Sequence, residues 1–472
     1  MKKKLLLLLF VLVFATACGK KKEKLVLATE AGFAPYEYYY NNEIVGVDID
    51  IAKEIADKLD MELVIKDVYF DSIITEVKTG KSDIGAAGIS YTEERSREVD
   101  FTIDYMESRQ VLIVKKNSKI NSIDKIKNGK IAVQLGSVAD SYLTEEYKNI
   151  TVIREKKFLA AIQDLKDDKV VGVVMDEIPA RELITDELVI LPDPLVTDHY
   201  GMVVKKGNRA LLNKINMIIE ELKETGKIDE FLLSHLGVKE ESSSNNLIDK
   251  FYYSVIFDGR YKYIFEGLRN TLLIALGAVI LGIILGTICA VIRNIHDNTG
   301  KLKLLNILAK IYVTVIRGTP SILQLMIMYY VIFKALSVNI VLVGILSFGI
   351  NSGAYVAEII RAGFNSVDKG QIEAGYALGL HYSQVTSKIV FPIALRNILP
   401  ALGNEFITLV KETSVGAYIG ILELTKSSDI IASRTYDYFF PLSIIAIIYL
   451  IITLVLTKLF SIMERRLNHA RN

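Results

Sequence analysis

A stretch punctuated by glycines, with three titratable side chains, lies among the long apolar runs in the second half of this 472-residue chain. It reads GQIEAGYALGLHYSQVTSKIVFP over residues 370–392 and contains Glu373, His381 and Lys388. The simplest interpretation is a solvated loop between two membrane-spanning helices. Whether these groups have a function depends on the elements that surround them.

Three more polar side chains, Arg317, Asn404 and Glu405, fall inside apolar segments of the same half. Polar groups within membrane spans usually face a water-filled cavity or a neighbouring helix, because exposing them to lipid is costly. They are therefore candidates either for a translocation path or for helix packing, and the sequence leaves both roles open.

Composition and motifs argue against several classes of protein. The 56 basic and 55 acidic residues give a formal net charge of +1, so no nucleic-acid partner is expected. Cys18 and Cys289 are far apart and imply no disulfide framework, and no cluster of His and Cys suggests a metal. No GxxxxGK[ST] motif is present, so we expect this chain to bind no ATP and no other cofactor itself.

Residues 1–24 have the features of a secretory signal and spacer. Three lysines precede an apolar run from Leu5 to Ala15, and small residues follow. The segment ATAC resembles the bacterial lipoprotein processing box, which would make Cys18 a lipidated residue in contact with membrane lipid, although Ala15 replaces the usual Leu. An uncleaved anchor or cleavage near Ala17 are the alternatives. In each case the next domain is expected outside the cytoplasm.

The charged first half, residues 25–240, has an α/β pattern. Strand-like runs such as EKLVLAT alternate with amphipathic helical runs such as DIDIAKEIADKLDM. This alternation predicts mainly parallel sheets covered by helices, and the length suffices for two lobes. A linker over 241–264 follows, because Ser and Asn are concentrated around its start.

The apolar second half, residues 265–472, is predicted to be an all-α membrane domain with about five spans. Segments of about 20 apolar residues are long enough to cross a bilayer. Basic residues concentrate after the first and third spans and in the tail, which predicts a cytoplasmic C-terminus and a multi-pass protein of the cell membrane. The predicted spans are 270–292, 307–333, 335–357, 391–413 and 439–457.

The segments ATEAGFAPYEYYYNNEIVGVDIDIAKEIADKL and GAAGISYTEERSREVDFTIDYM resemble the polar amino-acid binding proteins of bacterial ABC importers, the family 3 solute-binding proteins. The resemblance implies a two-lobe, periplasmic-binding-protein-like α/β fold with the ligand between the lobes. Lobe 1 would comprise 25–113 and 200–240, and lobe 2 would comprise 114–199. The hinges would lie near 111–115 and 199–204.

A free amino acid needs a guanidinium for its carboxylate and a carboxylate for its ammonium, because unpaired buried charge is costly. The resemblance assigns these roles to Arg95 and Asp176. Taken alone, Arg95 could be a surface helix charge and Asp176 a helix N-cap. The resemblance adds Gly88 for the ammonium, Ser90, Ser137 and Val138 for further contacts, and Phe33 and Phe70 as rings around the ligand side chain. Taken alone, such rings are more often core.

Glu30 falls where the family keeps an acid facing the ligand side chain, and Gln134 falls near the same pocket. An acid suits a cationic side chain, but an amide ligand can also use one. The residues therefore favour Arg, Lys or His slightly over Gln or Glu as the ligand.

The segments GLRNTLLIALGAVILGIILGTICAVIR, VIRGTPSILQLMIMYY and INSGAYVAEIIRAG resemble the permease subunits of the same importers. The opening stretch matches their EAA loop through Glu373, Ala374 and Gly379, with Gly375 in place of the second Ala. The resemblance implies a short coupling helix that docks on a cytoplasmic ABC ATPase dimer. It also implies a second permease, either another copy of this chain or a related protein.

Together these observations predict a multidomain subunit of an ATP-driven amino-acid importer, with a receptor fused to its own permease and ATP hydrolysed by a separate chain. Two other classes of protein, a ligand-gated channel and an enzyme, would have a different sequence organisation. A ligand-gated channel would carry its pore inside the binding domain, whereas these spans follow it. An enzyme on the same fold would need an acid–base pair beyond the Arg95, Ser90 and Asp176 set.

Overall fold

Two β-sheets organise the first half of the chain in the computed structural model, which describes residues 22–41, 43–126, 128–237, 247–334, 338–435 and 437–469. Cys18 lies outside the described residues. The strands are β1 (Lys24–Thr29), β2 (Tyr38–Tyr40), β3 (Glu43–Val45), β4 (Glu62–Asp67), β5 (Ile84–Gly85), β6 (Val99–Phe101), β7 (Met106–Lys115), β8 (Lys130–Gln134), β9 (Thr151–Glu155), β10 (Gly172–Asp176), β11 (Leu188–Ile190), β12 (Val196–Tyr200) and β13 (Val203–Lys205).

Helices cover both sheets and follow the strands in the order that the sequence pattern predicts. They are α1 (Val47–Lys58), α2 (Phe70–Thr79), α3 (Glu93–Glu98), α4 (Val138–Glu146), α5 (Phe158–Lys166), α6 (Glu177–Leu183), α7 (Arg209–Glu224) and α8 (Lys227–His235). In α1 the fully buried Ile51 and Ile55 are four residues apart and so lie on one face of the helix. Burial of this apolar face holds α1 in the lobe.

The first lobe contains a five-stranded sheet in the order β4-β1-β5-β13-β6. Strand β1 is parallel to both β4 and β5, and Leu27 pairs with Ile65 and Ile84. Parallel neighbours need crossover connections, which α1 and α2 supply. Leu25 and Leu27 of β1 are buried in the lobe core.

The second lobe contains a sheet in the order β11-β7-β10-β8-β9, and β12 also pairs with β7. The chain crosses between the lobes at 102–105 and again at 201–202. The first crossing precedes the predicted hinge near 111–115, because β7 already belongs to the second sheet from Met106. The apolar run at 111–114 is therefore core of lobe 2. The return crossing lies inside the predicted range 199–204.

The predicted linker 241–264 contains regular structure. Residues 247–255 form helix α9 (Leu247–Val255), and a 3₁₀ turn follows at Phe257–Gly259. Apolar side chains at 247, 248, 251, 252 and 255 recur at helical spacing, which explains why this part of the linker is helical. Residues 238–246 lie outside the described residues.

The second half of the chain is helical. Its helices are α10 (Tyr261–Thr299), α11 (Lys303–Arg317), α12 (Ser321–Ile327), α13 (Ile340–Asn365), α14 (Lys369–Ala377), α15 (Tyr382–Val385), α16 (Phe391–Glu412), α17 (Leu424–Thr435) and α18 (Phe439–His469). Within the described ranges, four segments are long and apolar enough to cross a membrane, namely Phe257–Thr299, Ile340–Asn365, Tyr382–Ile419 and Phe439–Arg465.

The second predicted span, 307–333, is broken. Lys303–Arg317 and Ser321–Ile332 together have the composition of a span but meet at an angle of 109°. The break falls at Gly318, Thr319 and Pro320, since proline lacks the N–H of a continuing helix and restricts the residue before it. The described part of the membrane domain therefore has four candidate spans, or five if the bent pair counts as one.

Candidate functional site

A narrow cleft lies between the two lobes. All nine residues predicted to contact a ligand line it together with Gln134, so the structure brings the predicted set to one place. The lining is Glu30, Phe33, Glu37, Phe70, Ala87, Gly88, Ser90, Arg95, Gln110, Gln134, Ser137, Val138, Phe158 and Asp176.

Arg95 spans the cleft from the first turn of α3. That turn begins at Thr92, whose hydroxyl accepts a hydrogen bond from the Arg95 N–H at 3.1 Å. The guanidinium donates to the Ser90 carbonyl at 2.6 Å and, across the lobes, to the Gly136 carbonyl at 2.7 Å. Burial lowers the pKa of Arg95 to about 10, against the attraction of nearby carboxylates, so it stays cationic at neutral pH. Arg95 is a cleft residue and not a solvated helix charge.

Asp176 lies at the end of β10, on the opposite lobe from the body of α3. Its Oδ1 accepts hydrogen bonds from Ser108 at 2.5 Å, from Gln110 at 2.7 Å and from the Tyr200 hydroxyl. Oδ2 has no hydrogen bond to any described residue, and the Asp176 side chain does not cap α6. Burial and the charge of Asp198 raise the pKa of Asp176 to about 6. A cation in the cleft would favour the ionised form of Asp176 and so lower its pKa.

Asp198 is a second acid of this site that the sequence analysis missed. Its Oδ2 accepts hydrogen bonds from Ser90 at 2.8 Å and from Gln110 at 3.3 Å. Burial raises the pKa of Asp198, and Arg95 opposes that shift. No motif marks Asp198, but it lies two residues before Tyr200 on β12, and side chains two apart share one face of a strand. Arg95, Asp176 and Asp198 give the cleft both charges of an amino-acid zwitterion.

Gly88 has a backbone that only glycine adopts readily at this position. Its φ is +53°, and an added Cβ would lie 2.7 Å from Cε1 of Phe33. Asp48 holds the loop, because its Oδ2 accepts from the Gly88 N–H at 3.0 Å while its Oδ1 accepts from Tyr105 at 2.6 Å. Asp48 is fully buried and was not predicted as part of the site.

Aromatic rings cover two sides of the cleft. Phe33 is buried and stacks between Tyr36, at 5.7 Å between ring centres, and Phe158, at 5.5 Å. Phe33 is thus both core and cleft wall, so the two interpretations of its sequence position are compatible. Phe70 is half-buried, and its ring centre lies 5.4 Å from Cζ of Arg95. Phe158, from lobe 2, was not predicted.

Ser137 and Val138 begin α4 at the edge of the cleft. Ser137 is the N-cap, and its hydroxyl accepts from the Asp140 N–H at 3.2 Å. The first N–H groups of a helix lack partners within it and carry partial positive charge, which suits an anion. The predicted role of these residues toward a carboxylate is consistent with this placement.

Glu30, which lines the cleft, is paired with a buried lysine that is not part of the lining. Nζ of Lys157 lies 2.9 Å from Oε1 of Glu30, and both side chains are at most 5% exposed. Gln134 donates to the other oxygen of Glu30 at 3.4 Å. Burial raises the pKa of Glu30, and Lys157 opposes this. Lys157 was missed because it ends the charged run REKK, a composition typical of exposed residues.

The opening stretch forms the short helix α14, with Glu373 and Ala374 exposed. Gly379, with φ +79°, ends it, and the N–H of Leu380 donates to the Gly375 carbonyl at 3.2 Å. A Cβ at Gly375 would lie 2.7 Å from Cδ1 of Ile389 and 3.1 Å from Cγ2 of Val385.

The three polar residues of the membrane domain lie in different surroundings. Glu405 accepts a hydrogen bond from Ser352 at 2.8 Å, which joins α16 to α13 and supports a packing role. Arg317 lies over the ring of Tyr355 at 5.4 Å, and Asn404 is exposed. Among the residues that the structure describes, no group of three or more His, Cys, Asp or Glu could hold a metal ion.

Comparison with known proteins divides the chain into two matched regions. Residues 25–238 match the bacterial extracellular solute-binding proteins, family 3. Residues 264–469 match the inner membrane component of binding-protein-dependent transport systems. A solved structure similar to the first region is the P235GK mutant of ArgBP from T. maritima, which is 35% identical, covers 45% of this chain and 94% of that one, and has a TM-score of 0.43.

Two curated relatives match the second region over most of their own length. The arginine transport system permease protein ArtQ of Bacillus subtilis is 38% identical over 207 residues, which is 43% of this chain and 92% of ArtQ. The glutamine transport system permease protein GlnP of Escherichia coli is 36% identical over 205 residues, which is 43% of this chain and 91% of GlnP.

A two-lobe binding domain followed by a helical membrane domain defines a transport protein with a fused receptor. The chain belongs to the family of binding-protein-dependent transport system inner membrane components and carries a family 3 solute-binding domain in front of its permease domain. It is therefore a multi-pass membrane component of amino-acid transport and not an enzyme.

Gly88→Ala should destabilise the protein more than Gly207→Ala, the matched control in the same lobe. Both have positive φ, but a Cβ at Gly207 meets nothing within 4 Å. Left-handed strain costs about 1–2 kcal/mol at either position, and overpacking against Phe33 adds about 1–3 kcal/mol at Gly88 alone. Calorimetric unfolding of the purified chain measures the difference. Equal losses would show that contact with Phe33 does not constrain this loop.

Proposed function

We propose that this chain binds a polar amino acid outside the cell and passes it inward through its own membrane domain, driven by a separate ATPase. The observation that carries the proposal is the cleft itself. Arg95 stands with Asp176 and Asp198 between two lobes, and the same chain continues into a permease domain. A receptor tethered in this way meets its permease at a high effective concentration.

The charged groups suit the two ends of an amino-acid backbone. Arg95 would clamp the carboxylate, with help from Ser90 and from the N–H groups at Ser137 and Val138. Oδ2 of Asp176 would accept from the ammonium, together with the Gly88 carbonyl. Ligand contacts from both lobes exist only when the lobes are closed, so binding favours the closed form.

The side chain of the ligand would meet Glu30. Because Lys157 neutralises Glu30, the expected ligand changes from a cationic to a neutral polar amino acid. A free Glu30 would favour a cationic side chain, but Lys157 already balances its charge at 2.9 Å. A neutral carboxamide can donate to Glu30, whereas a cation would be repelled by Lys157 beside it. We therefore favour glutamine, with arginine as the main competitor. The relatives named above include both a glutamine and an arginine permease.

Transport requires partners that this chain would contact on its cytoplasmic side. Glu373, Ala374 and the turn at Gly379 would form the coupling helix that docks on an ABC ATPase dimer, since the chain has no phosphate-binding loop of its own. The exposed side chains of Tyr376 and Leu378 next to them would add an apolar contact. A second permease domain would complete the pathway. The C-terminus would be cytoplasmic, with Cys18 lipidated at the outer face.

Arg95→Ala should abolish high-affinity binding, whereas Arg97→Ala on the same helix should not. Arg95 lies in the cleft, but Arg97 is 78% exposed. Truncating one partner of a buried charge pair costs about 2–5 kcal/mol, which raises Kd by roughly 30- to 5,000-fold. Titration calorimetry of the full chain with glutamine, arginine and the other amino acids measures this. Equal effects of the two substitutions, or no heat with any amino acid, would overturn the proposed clamp.

Lys157→Met should shift preference toward cationic amino acids. Removing this charge frees Glu30 to pair with a guanidinium, so the ratio of the Kd for glutamine to the Kd for arginine should rise about tenfold or more. Lys156→Met is the control, because Lys156 pairs with Asp71 at 2.6 Å, whereas Lys157 pairs with Glu30. An unchanged ratio in Lys157→Met would show that Lys157 does not set specificity.

Ligand affinity should fall at acid pH. The ammonium pairs with ionised Asp176, whose pKa is about 6 without ligand, so affinity should be constant above pH 7 and fall by up to about tenfold per unit below pH 6. Because this pKa is raised, protonated Asp176 stabilises the unliganded fold at low pH and that contribution is lost as pH rises through about 6. Kd measured from pH 5 to 8 tests this, and Asp176→Asn should bind weakly without this dependence.

A further inference from the structure

Helix α17, in the loop between the last two spans, places a buried cation against the binding domain. Nζ of Lys426 lies 2.8 Å from Oδ2 of Asp67 at the end of β4, with side-chain exposures of 2% and 7%. Taking two charges out of water is costly unless the pair is well formed, and removing one partner leaves the other uncompensated. The contact therefore depends on both domains being present.

Further bonds fix this contact in lobe 1. Asp67 also accepts from the Ala31 N–H and from the Tyr39 hydroxyl, each at 3.1 Å. Lys426 lies 5.1 Å from the ring centre of Tyr69, whose hydroxyl donates to Asp429 on α17 at 3.0 Å. One turn of α17 thus presents a cation and a carboxylate to the lobe, three residues apart on one face of the helix.

Lobe 2 brings two lysines to the same surface. Lys157 pairs with Glu30 of lobe 1, as described above. Burial would lower its pKa, but Glu30, Asp67 and Asp429 together raise it. Its neighbour Lys156 lies 5.1 Å from the ring centre of Tyr418, which belongs to the membrane domain. Lys426 of α17 therefore faces Asp67 of lobe 1, and Asp429 of α17 attracts Lys157 of lobe 2.

We propose that Lys426 and Asp429 of α17 sense closure of the two lobes and so couple ligand binding to the membrane domain. Glu30, Lys157, Asp67 and Lys426 form a buried set of alternating charges that leads from the ligand cleft to α17, with Asp429 beside it. Opening the lobes would move Lys157 away from Glu30, Asp67 and Asp429, so these three carboxylates would lose one compensating positive charge. The open form consequently docks on α17 less tightly than the closed form. Lys426 and Asp429 are positioning residues that do not touch the ligand.

This inference rests on the proposed function, and it is tested in the full chain in lipid nanodiscs without any ATPase. Hydrogen exchange of the α17 amides is followed with and without saturating glutamine, or arginine if calorimetry shows that arginine binds instead. In the wild type the ligand should slow this exchange by about tenfold, a typical coupling between two sites. In Lys426→Met this slowing should disappear. Because ligand binding and the change in α17 are thermodynamically coupled, the Kd of the ligand should rise in Lys426→Met by no more than about tenfold.

Two further variants separate coupling from folding. Ser433→Ala, on the same helix, should keep the wild-type response, since the Ser433 hydroxyl donates to the Ile430 carbonyl within α17 and has no other bond to a described residue. Asp429→Asn keeps the Lys426–Asp67 pair and should also lose the response, which covers the case that Lys426→Met fails to fold. A merely structural role would speed exchange equally in both states and leave the ratio unchanged.

The outcomes distinguish the two proposals. A wild type that binds an amino acid without any change in α17 overturns the inference alone. The inference is also overturned if Lys426→Met or Asp429→Asn responds to ligand as the wild type does. A wild type that binds no amino acid overturns the proposed function, and the inference with it.

Discussion

Buried charge that must find a partner is the constraint on which this structure depends. Glu30, Lys157 and Asp176 are buried and bond to residues far away in the chain, and Arg95 bonds both to nearby Ser90 and, across the lobes, to Gly136. An unpaired ion in such surroundings would be unstable or would change its protonation state. The need to pair these charges therefore constrains how the two lobes lie relative to each other, as well as where each side chain lies.

The two sheets supply rigid positions for these charges. Asp176 lies at the end of β10, Asp67 at the end of β4, and Arg95 in the first turn of α3. Two short crossings, at 102–105 and 201–202, join the lobes, so relative motion of the lobes changes the contacts across the cleft and leaves the strands intact. A ligand that bridges Arg95 and Asp176 can then stabilise one arrangement of the lobes over another.

The same charges connect three parts of the molecule. Glu30 and Lys157 form a pair at the cleft. Asp67 and Tyr69 lie on the surface of lobe 1 that faces α17, and Lys426 and Asp429 lie on α17 itself. Under the proposed function, specificity and docking would share this set, because Lys157 neutralises Glu30 and is also attracted by Asp67 and by Asp429 of α17. A substitution at Lys157 is expected to affect both properties, whereas one at Lys426 should affect docking.

The sequence alone determined the local features and the order of elements. Helical and strand periodicities predicted the α/β half and the apolar half, and the resemblance to known binding proteins and permeases predicted Arg95, Gly88, Phe33 and the helix that ends at Gly379. These features depend on neighbours within a few residues or on one recognisable pattern. Only the tertiary structure decided the first crossing between lobes, the broken second span and the partners Asp198, Asp48, Phe158 and Lys157. Each of these depends on contacts between residues far apart in the chain, and a buried lysine has the same local sequence as an exposed one.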